Sequence, residues 1–296
     1  AIAMVPKLWY NSPRNTLSLL ERPMSFSKAN NKLQEMIDHP DLKVYLRNKR
    51  KVYSFDLLSG HSCPFAEKCL SKVMLTDGER IVSPFKKLVD TLVKWKRKVV
   101  DGKKTEFRCF SASQEATYTN VYNSRKKNFD NLRGKSAGEM VSIIRDQMPK
   151  NLGICRIHVA GDFFSPAYFE AWIRTAIMNP DRLFYAYTKS LPYWVDNLEI
   201  IPDNLILTAS YGGRRDDMIV GYNLRSAKVV FSYEEADMLG LEVDHDDTHA
   251  ANPFWGNDDF ALIIHGIQPK GSEAADAIKQ LKKDGKKFSY GKAQTA

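Results

Sequence analysis

The stretch Ile154-Cys155-Arg156-Ile157-His158-Val159-Ala160, running into Gly161-Asp162, decides how the rest of the chain is read. Side chains alternate between the two faces of a strand. Arg156, His158, Ala160 and Asp162 therefore share one face, and Cys155, Ile157 and Val159 share the other. The apolar set suits a face covered by helices, which makes Cys155 a core residue. The polar set suits the inside of a (β/α) barrel, whose functional residues sit at the C-terminal ends of its strands.

Similar short runs recur on both sides of this one. They fall at 52–58, 106–112, 182–188, 204–210, 227–232 and 260–265, with 217–222 as an eighth. Helical spacing fills the intervals. Residues 83–100 carry Leu88, Val89, Leu92 and Val93 on one face, and 136–148 carry Met140, Ile143 and Ile144. Residues 166–177 open on Ser-Pro and bury Phe169, Trp172 and Ile173. Ser232-Tyr233-Glu234-Glu235 is a capping box ahead of 234–239. A last helix over 272–283 stops at Asp284-Gly285. Alternating strands and helices imply parallel strands joined by helical crossovers. The expected fold class is α/β: a single (β/α) barrel-like domain over 51–296, open or closed, incomplete or irregular where the fifth to seventh units lack long helices. Residues 1–50 read as an N-terminal extension, with helical spacing at 27–38 through Leu33, Met36 and Ile37.

The chain has 296 residues, 43% of them hydrophobic, enough for a sizeable core. No run approaches the roughly 18 apolar residues of a membrane span, so no membrane association is expected. Residues 1–6 lack the charged start and apolar run of a signal peptide. Four cysteines in so long a chain make no disulfide scaffold and fit a reducing cytoplasm. Lys+Arg number 44 against 35 Asp+Glu, a net charge of +9. The densest basic runs are Lys94-Trp95-Lys96-Arg97-Lys98, Lys103-Lys104 and Arg125-Lys126-Lys127. They are either a solvated surface or a track for a phosphate backbone, which would make the basic N-terminal half a nucleic-acid contact.

The cysteines carry the sharpest chemical signal. Cys63 and Cys69 lie in Gly60-His61-Ser62-Cys63-Pro64-Phe65-Ala66-Glu67-Lys68-Cys69, just after the first strand run, and Cys109 lies in the second. Thiolates converging at strand ends are ligands for a soft metal or an iron–sulfur cluster. Cys63, Cys69 and Cys109 form the expected metal set. Three thiolates favour a [4Fe–4S] cluster with one iron left to a non-cysteine ligand. Zinc with a fourth ligand such as His61 is the competing metal, and three reduced structural cysteines is the metal-free alternative. Arg156, His158, Asp162 and Lys189 are expected to line the same cavity as cofactor-binding residues, Arg156 holding an anionic group or pairing with Asp162. Asp244-His245-Asp246-Asp247-Thr248-His249 is either a polar loop or a site for a hard or borderline cation.

Several of these segments together resemble a known family. They are Ser62-Cys63-Pro64 with Cys69, Phe107 to Ala116, Arg156 to Ser165, Tyr185 to Ser190, Val243 to Asp247, and Asp259 to Gly266. The chain resembles, over about residues 50 to 275, the phage-encoded gene product 88 family. That resemblance implies a phage origin and expression in the cytoplasm of an infected bacterium, and it names no reaction. In outline the barrel with cysteines at its mouth is similar to radical S-adenosylmethionine enzymes, but it lacks their C-x3-C-x2-C loop. Three functions are therefore carried forward: an iron–sulfur protein with a redox or radical role, a nucleic-acid-associated phage protein, and a zinc- or divalent-metal-dependent hydrolase. The partner is expected to be a small molecule or a host protein.

Overall fold

The computed structural model describes residues 24–29, 33, 36–81, 92–256 and 258–286. Its centre is an eight-stranded sheet. In chain order the strands are β1 (Phe26–Lys28), β2 (Lys51–Phe55), β5 (Leu152–Ile157), β6 (Leu183–Thr188), β7 (Leu205–Ser210), β8 (Ser226–Val230), β9 (Glu242–Val243) and β10 (Phe260–Ile263). The spatial order is β1-β2-β5-β6-β7-β8-β10-β9. Every pairing is parallel except that of β1 with β2. The remaining strands, β3 (Ser71–Ile81) and β4 (Leu92–Asp101), form a separate antiparallel hairpin.

The mixed α/β class is as the sequence implies, but the barrel is not. Among the described residues the pairings close no ring: β1 and β9 end the sheet. From β5 to β8 each strand lies beside its predecessor, and right-handed crossovers of that kind place successive helices on one face. That face holds α3 (Ala137–Gln147), α4 (Pro166–Ile177), α5 (Leu191–Val195) and α6 (Asp217–Gly221). Trp172, Phe169 and Ile173 of α4 pack there with Phe55, Cys155, Ile157 and Phe184. A barrel would bury the opposite face by closing. Here Leu33, Met36 and Leu42 cover it instead, with Ala250 and Ala251 of α8 (Thr248–Ala251), against Val52, Ile154, Tyr185 and Phe260.

Local chemistry sets the helix starts. Ser165 accepts the Tyr168 N–H at 3.2 Å with Pro166 at the first helical position, the pre-organised place for proline. Ser136 and Glu139 form a reciprocal capping box at α3. A third cluster joins β8 and β10 to α7 (Tyr233–Leu239) and α9 (Glu273–Lys283) through Val230, Ala236, Ile263 and Ile278.

Four segments differ from expectation. The helix read over 83–100 is in part β4, and residues 82–91 lie outside the described residues. From Lys96 to Val100 the chain alternates, with Lys96, Lys98 and Val100 exposed and Arg97 and Val99 half-buried. A period of two therefore wins over the helical spacing of its flanking leucines and valines. The strand read over 106–112 is a loop followed by α1 (Phe110–Thr117), which packs against the hairpin, and α2 (Thr119–Leu132) follows it directly. The strand read over 217–222 is α6: the Asp216 carboxylate accepts the Gly212 and Gly213 N–H groups at 2.8 and 2.9 Å, folding the chain back just before it. The helical spacing at 27–38 becomes β1, which ends at Lys28, and a 3-10 turn over Met36–Asp38, with part of the interval outside the described residues.

Candidate functional site at the carboxyl edge of the sheet

Parallel strands end on a common edge, and here that edge opens into a cavity of about 780 Å³. Arg156 reaches it from β5, Tyr187 and Lys189 from the end of β6, Ser210 from the end of β7, Val229 from β8 and Leu262 from β10. Cys69, Cys109, Phe110, Ser113 and Gln114 close it from the hairpin and α1 side, and Ile264 to Ile267 complete the wall.

The loop after β5 shapes one side. Asp56 accepts the Val159 and Ala160 N–H groups at 2.7 and 3.3 Å, which fixes the turn. His158 has a φ of 72°, and Gly161 a φ of 91°. Left-handed backbone is uncommon for a histidine and marks an over-determined position. The turn takes His158 out of strand alternation and into the helix-covered side. Its Nε2 lies 3.0 Å from the Tyr168 hydroxyl, and its ring packs edge-on against Phe163. Burial first, then the Arg156 charge, pulls its pKa down to about 3, so the imidazole is neutral.

Asp162 is buried in the same wall. It accepts bonds from Thr188 Oγ1 at 2.6 Å, Phe163 N at 2.7 Å and Lys189 N at 2.8 Å. Burial still outweighs them and raises its pKa. Of the four residues expected to share one cavity, Arg156 and Lys189 line it, whereas His158 and Asp162 support the wall behind. Lys189 Nζ donates to Ser210 Oγ at 2.5 Å. The Arg156 guanidinium pairs with Asp247 and lies 5.1 Å from the centre of the Tyr187 ring.

The segment Asp244 to His249 is the anchor behind Arg156. Asp247 accepts the Tyr185 hydroxyl at 3.0 Å and the Tyr187 hydroxyl at 3.3 Å. Asp244 accepts the Asp246 N–H at 3.0 Å, and Asp246 the Thr248 N–H at 2.9 Å. Burial pushes Asp246 up, but the Thr248 bonds win and its pKa falls. Burial likewise opposes charge on His249, but Asp244 at 3.4 Å and Glu242 at 3.5 Å raise its pKa. These carboxylates are spent on protein donors.

Cys69 and Cys109 both line the cavity, and Cys63 does not. Burial, then Asp162, Cys109 and Cys69, push the Cys63 thiol well up. Burial and Cys69 push Cys109 up, against the backbone N–H groups of Ala112 and Ser111. Yet among the described residues no group of three or more His, Cys, Asp or Glu side chains is placed to hold a metal ion. Cys63 Sγ instead accepts the Gly60 N–H at 3.3 Å, and Cys109 begins a helix. This overturns the iron–sulfur function, and with it the zinc and divalent-metal hydrolase alternatives.

Several members of the basic runs are engaged within the protein. Arg125 is buried, bonded to Glu115 and to the Ser111 carbonyl, each at 3.1 Å. Lys126 pairs with Asp130, Lys104 with Glu67, and Arg97 bonds Thr119. Sequence reasoning passed over Tyr187, Leu262 and Ile264 as cavity residues. The signal was available: Tyr187 has the parity of Tyr185, which pairs in register with Arg156.

These features define an open, mostly parallel α/β protein with a ligand-sized cavity on its carboxyl edge. A family model described as Gene product 88 matches residues 24–284, and the chain belongs to that phage protein family. Among curated proteins, the Gene 88 protein of Mycobacterium phage L5 is 31% identical over 90 residues. The matched stretch is 27% of this chain and 38% of that protein, well short of its full length. No solved structure matches. Among the described residues no helix is long and apolar enough to cross a membrane.

Proposed function

We propose that the protein binds a small organic anion in the cavity at the carboxyl edge of its sheet. The observation that carries this reading is the delivery of two cations, Arg156 and Lys189, from neighbouring strands into one cavity with apolar walls. Concave, largely apolar sites with a few convergent polar groups are the usual form of small-molecule sites. Lys189 is nearly buried, and its ammonium donates to the Ser210 hydroxyl at the cavity wall. A ligand carboxylate, sulfonate or phosphate would complete its shell. Arg156 is held in place by Asp247 and by the Tyr187 ring, so it is pre-organised. Phe110, Leu262 and Ile264 supply the surface for an apolar body.

The test is a fluorescence titration with 8-anilinonaphthalene-1-sulfonate, an organic anion with an aromatic body. Lys189→Gln should weaken binding by about tenfold or more, since a hydrogen bond to a charged group contributes about 1.5–3 kcal/mol. An uncharged naphthylaniline should bind the two proteins equally. Equal sulfonate affinity in wild type and Lys189→Gln would refute the reading.

A further inference from the structure

Two cysteines line the same cavity as its cations. Cys69 precedes β3 and Cys109 opens α1, and both are half-buried. One hydroxyl fastens their backbones together: Ser71 Oγ donates to the Cys69 carbonyl at 3.3 Å and accepts the Cys109 N–H at 3.2 Å. The hairpin register supports the same junction, because Ser71 pairs with Asp101 at the foot of the two strands. Arg108, beside Cys109, is tied to that foot by bonds to Asp101 at 3.0 and 3.1 Å. Two cysteines from distant parts of the chain are thus pinned on either side of a single side chain.

We propose that Cys69 and Cys109 form a redox-active dithiol that exchanges with a small disulfide bearing carboxylates. This rests on the organic-anion reading, which supplies the charge preference. Cys109 is the attacking thiol: burial raises its pKa, and the Ala112 and Ser111 N–H groups at its sulfur oppose that rise and hold the thiolate once it forms. Its sulfur attacks one sulfur of the disulfide, the S–S bond breaks, and the first small thiol leaves with the Cys109 proton. Cys69 then attacks Cys109 Sγ in the mixed disulfide. The second small thiol leaves with the Cys69 proton. One protein dithiol is oxidised and one small disulfide is reduced to two thiols. Lys189 and Arg156, in the same cavity, would hold the carboxylates. Cys63 lies near the pair but outside the cavity wall, and Cys155 is buried on the other side of the sheet.

The experiment equilibrates reduced protein with glutathione disulfide, quenches with acid, alkylates, and maps the cysteines by mass spectrometry. The expected product is a Cys69–Cys109 cross-link. Cys69→Ser should accumulate glutathione on Cys109. Cys63→Ser and Cys155→Ser should cross-link as wild type does. The same exchange is run with uncharged hydroxyethyl disulfide. A rate advantage of about tenfold for glutathione disulfide, lost in Lys189→Gln, supports both readings. A cross-link formed equally fast with both disulfides keeps the dithiol and refutes the anion site. A pair that stays reduced with both, or a cross-link running through Cys63, overturns the dithiol. Sulfonate binding that still depends on Lys189 would in that case leave the anion site standing.

Discussion

Acid should unfold this protein through His158, by an amount the structure sets. The ring is 3% exposed, one nitrogen meets Tyr168, and Nδ1 has no hydrogen-bond partner among the described residues. Protonation would add a second N–H where no acceptor waits, beside the Arg156 charge. The folded pKa of about 3 lies below the ordinary value of 6.5. Since the unfolded chain takes up the proton first, stability is full above about pH 6.5 and drains as pH falls toward 3. The gap corresponds to about 4–5 kcal/mol in all, and to about 3 kcal/mol between pH 7 and pH 4. That is a large part of a typical stability of about 5–15 kcal/mol. The comparison is with His158→Asn, because asparagine tolerates left-handed backbone and does not titrate. Urea unfolding of both proteins at pH 7, 5 and 4, followed by tryptophan fluorescence, isolates the effect. Other acid-sensitive groups, Asp162 and Glu115 included, are common to both and cancel in the difference. Wild type should lose about 3 kcal/mol more than the variant over that range. Parallel losses would refute the reasoning.

Other substitutions probe separate parts of the structure. Arg125→Met should cost about 3–5 kcal/mol at pH 7, because it strands a fully buried carboxylate. Burial already raises the pKa of Glu115, so this loss should shrink on acidification as Glu115 takes a proton, and Arg125→Met with Glu115→Gln should recover much of it in urea unfolding. Gly161→Ala should lower stability by about 1–3 kcal/mol, since it combines a left-handed φ with a Cβ 2.6 Å from Ser62 Oγ and 2.7 Å from Leu57 Cβ; thermal unfolding measures this directly. Cys155→Ala should cost about 1 kcal/mol through a small void and leave sulfonate affinity unchanged, since Cys155 faces α4 rather than the cavity.

The parallel strands were legible because each is a short apolar run bounded by turn residues, as at 152–157, 183–188 and 205–210. Whether those strands close was not legible. Neighbouring strands in sequential order build a barrel or an open sheet alike, and the decision lies in what covers the inner face. Leu33, Met36 and Leu42 do so, from a segment whose sequence gives little hint of its docking. Alternation over β4 was masked by apolar neighbours at helical spacing. At the site, strand parity explains Arg156 facing away from Cys155, but it fails at His158, where the positive φ breaks alternation. Cysteine types and spacing suggested a cluster. Spacing says nothing of where each sulfur points, and the hydrogen bond of Cys63 to Gly60 belongs to the fold alone.

The β3–β4 hairpin leaves the body of the protein at Ser71 and returns to it at Asp101. An antiparallel arm comes back to its point of departure whatever its length. Matched residues added to or removed from its two strands would change its length without shifting Cys69 against Cys109. Outer arm and inner cavity can therefore diverge independently among related phages, one varying in size while the other keeps its dimensions.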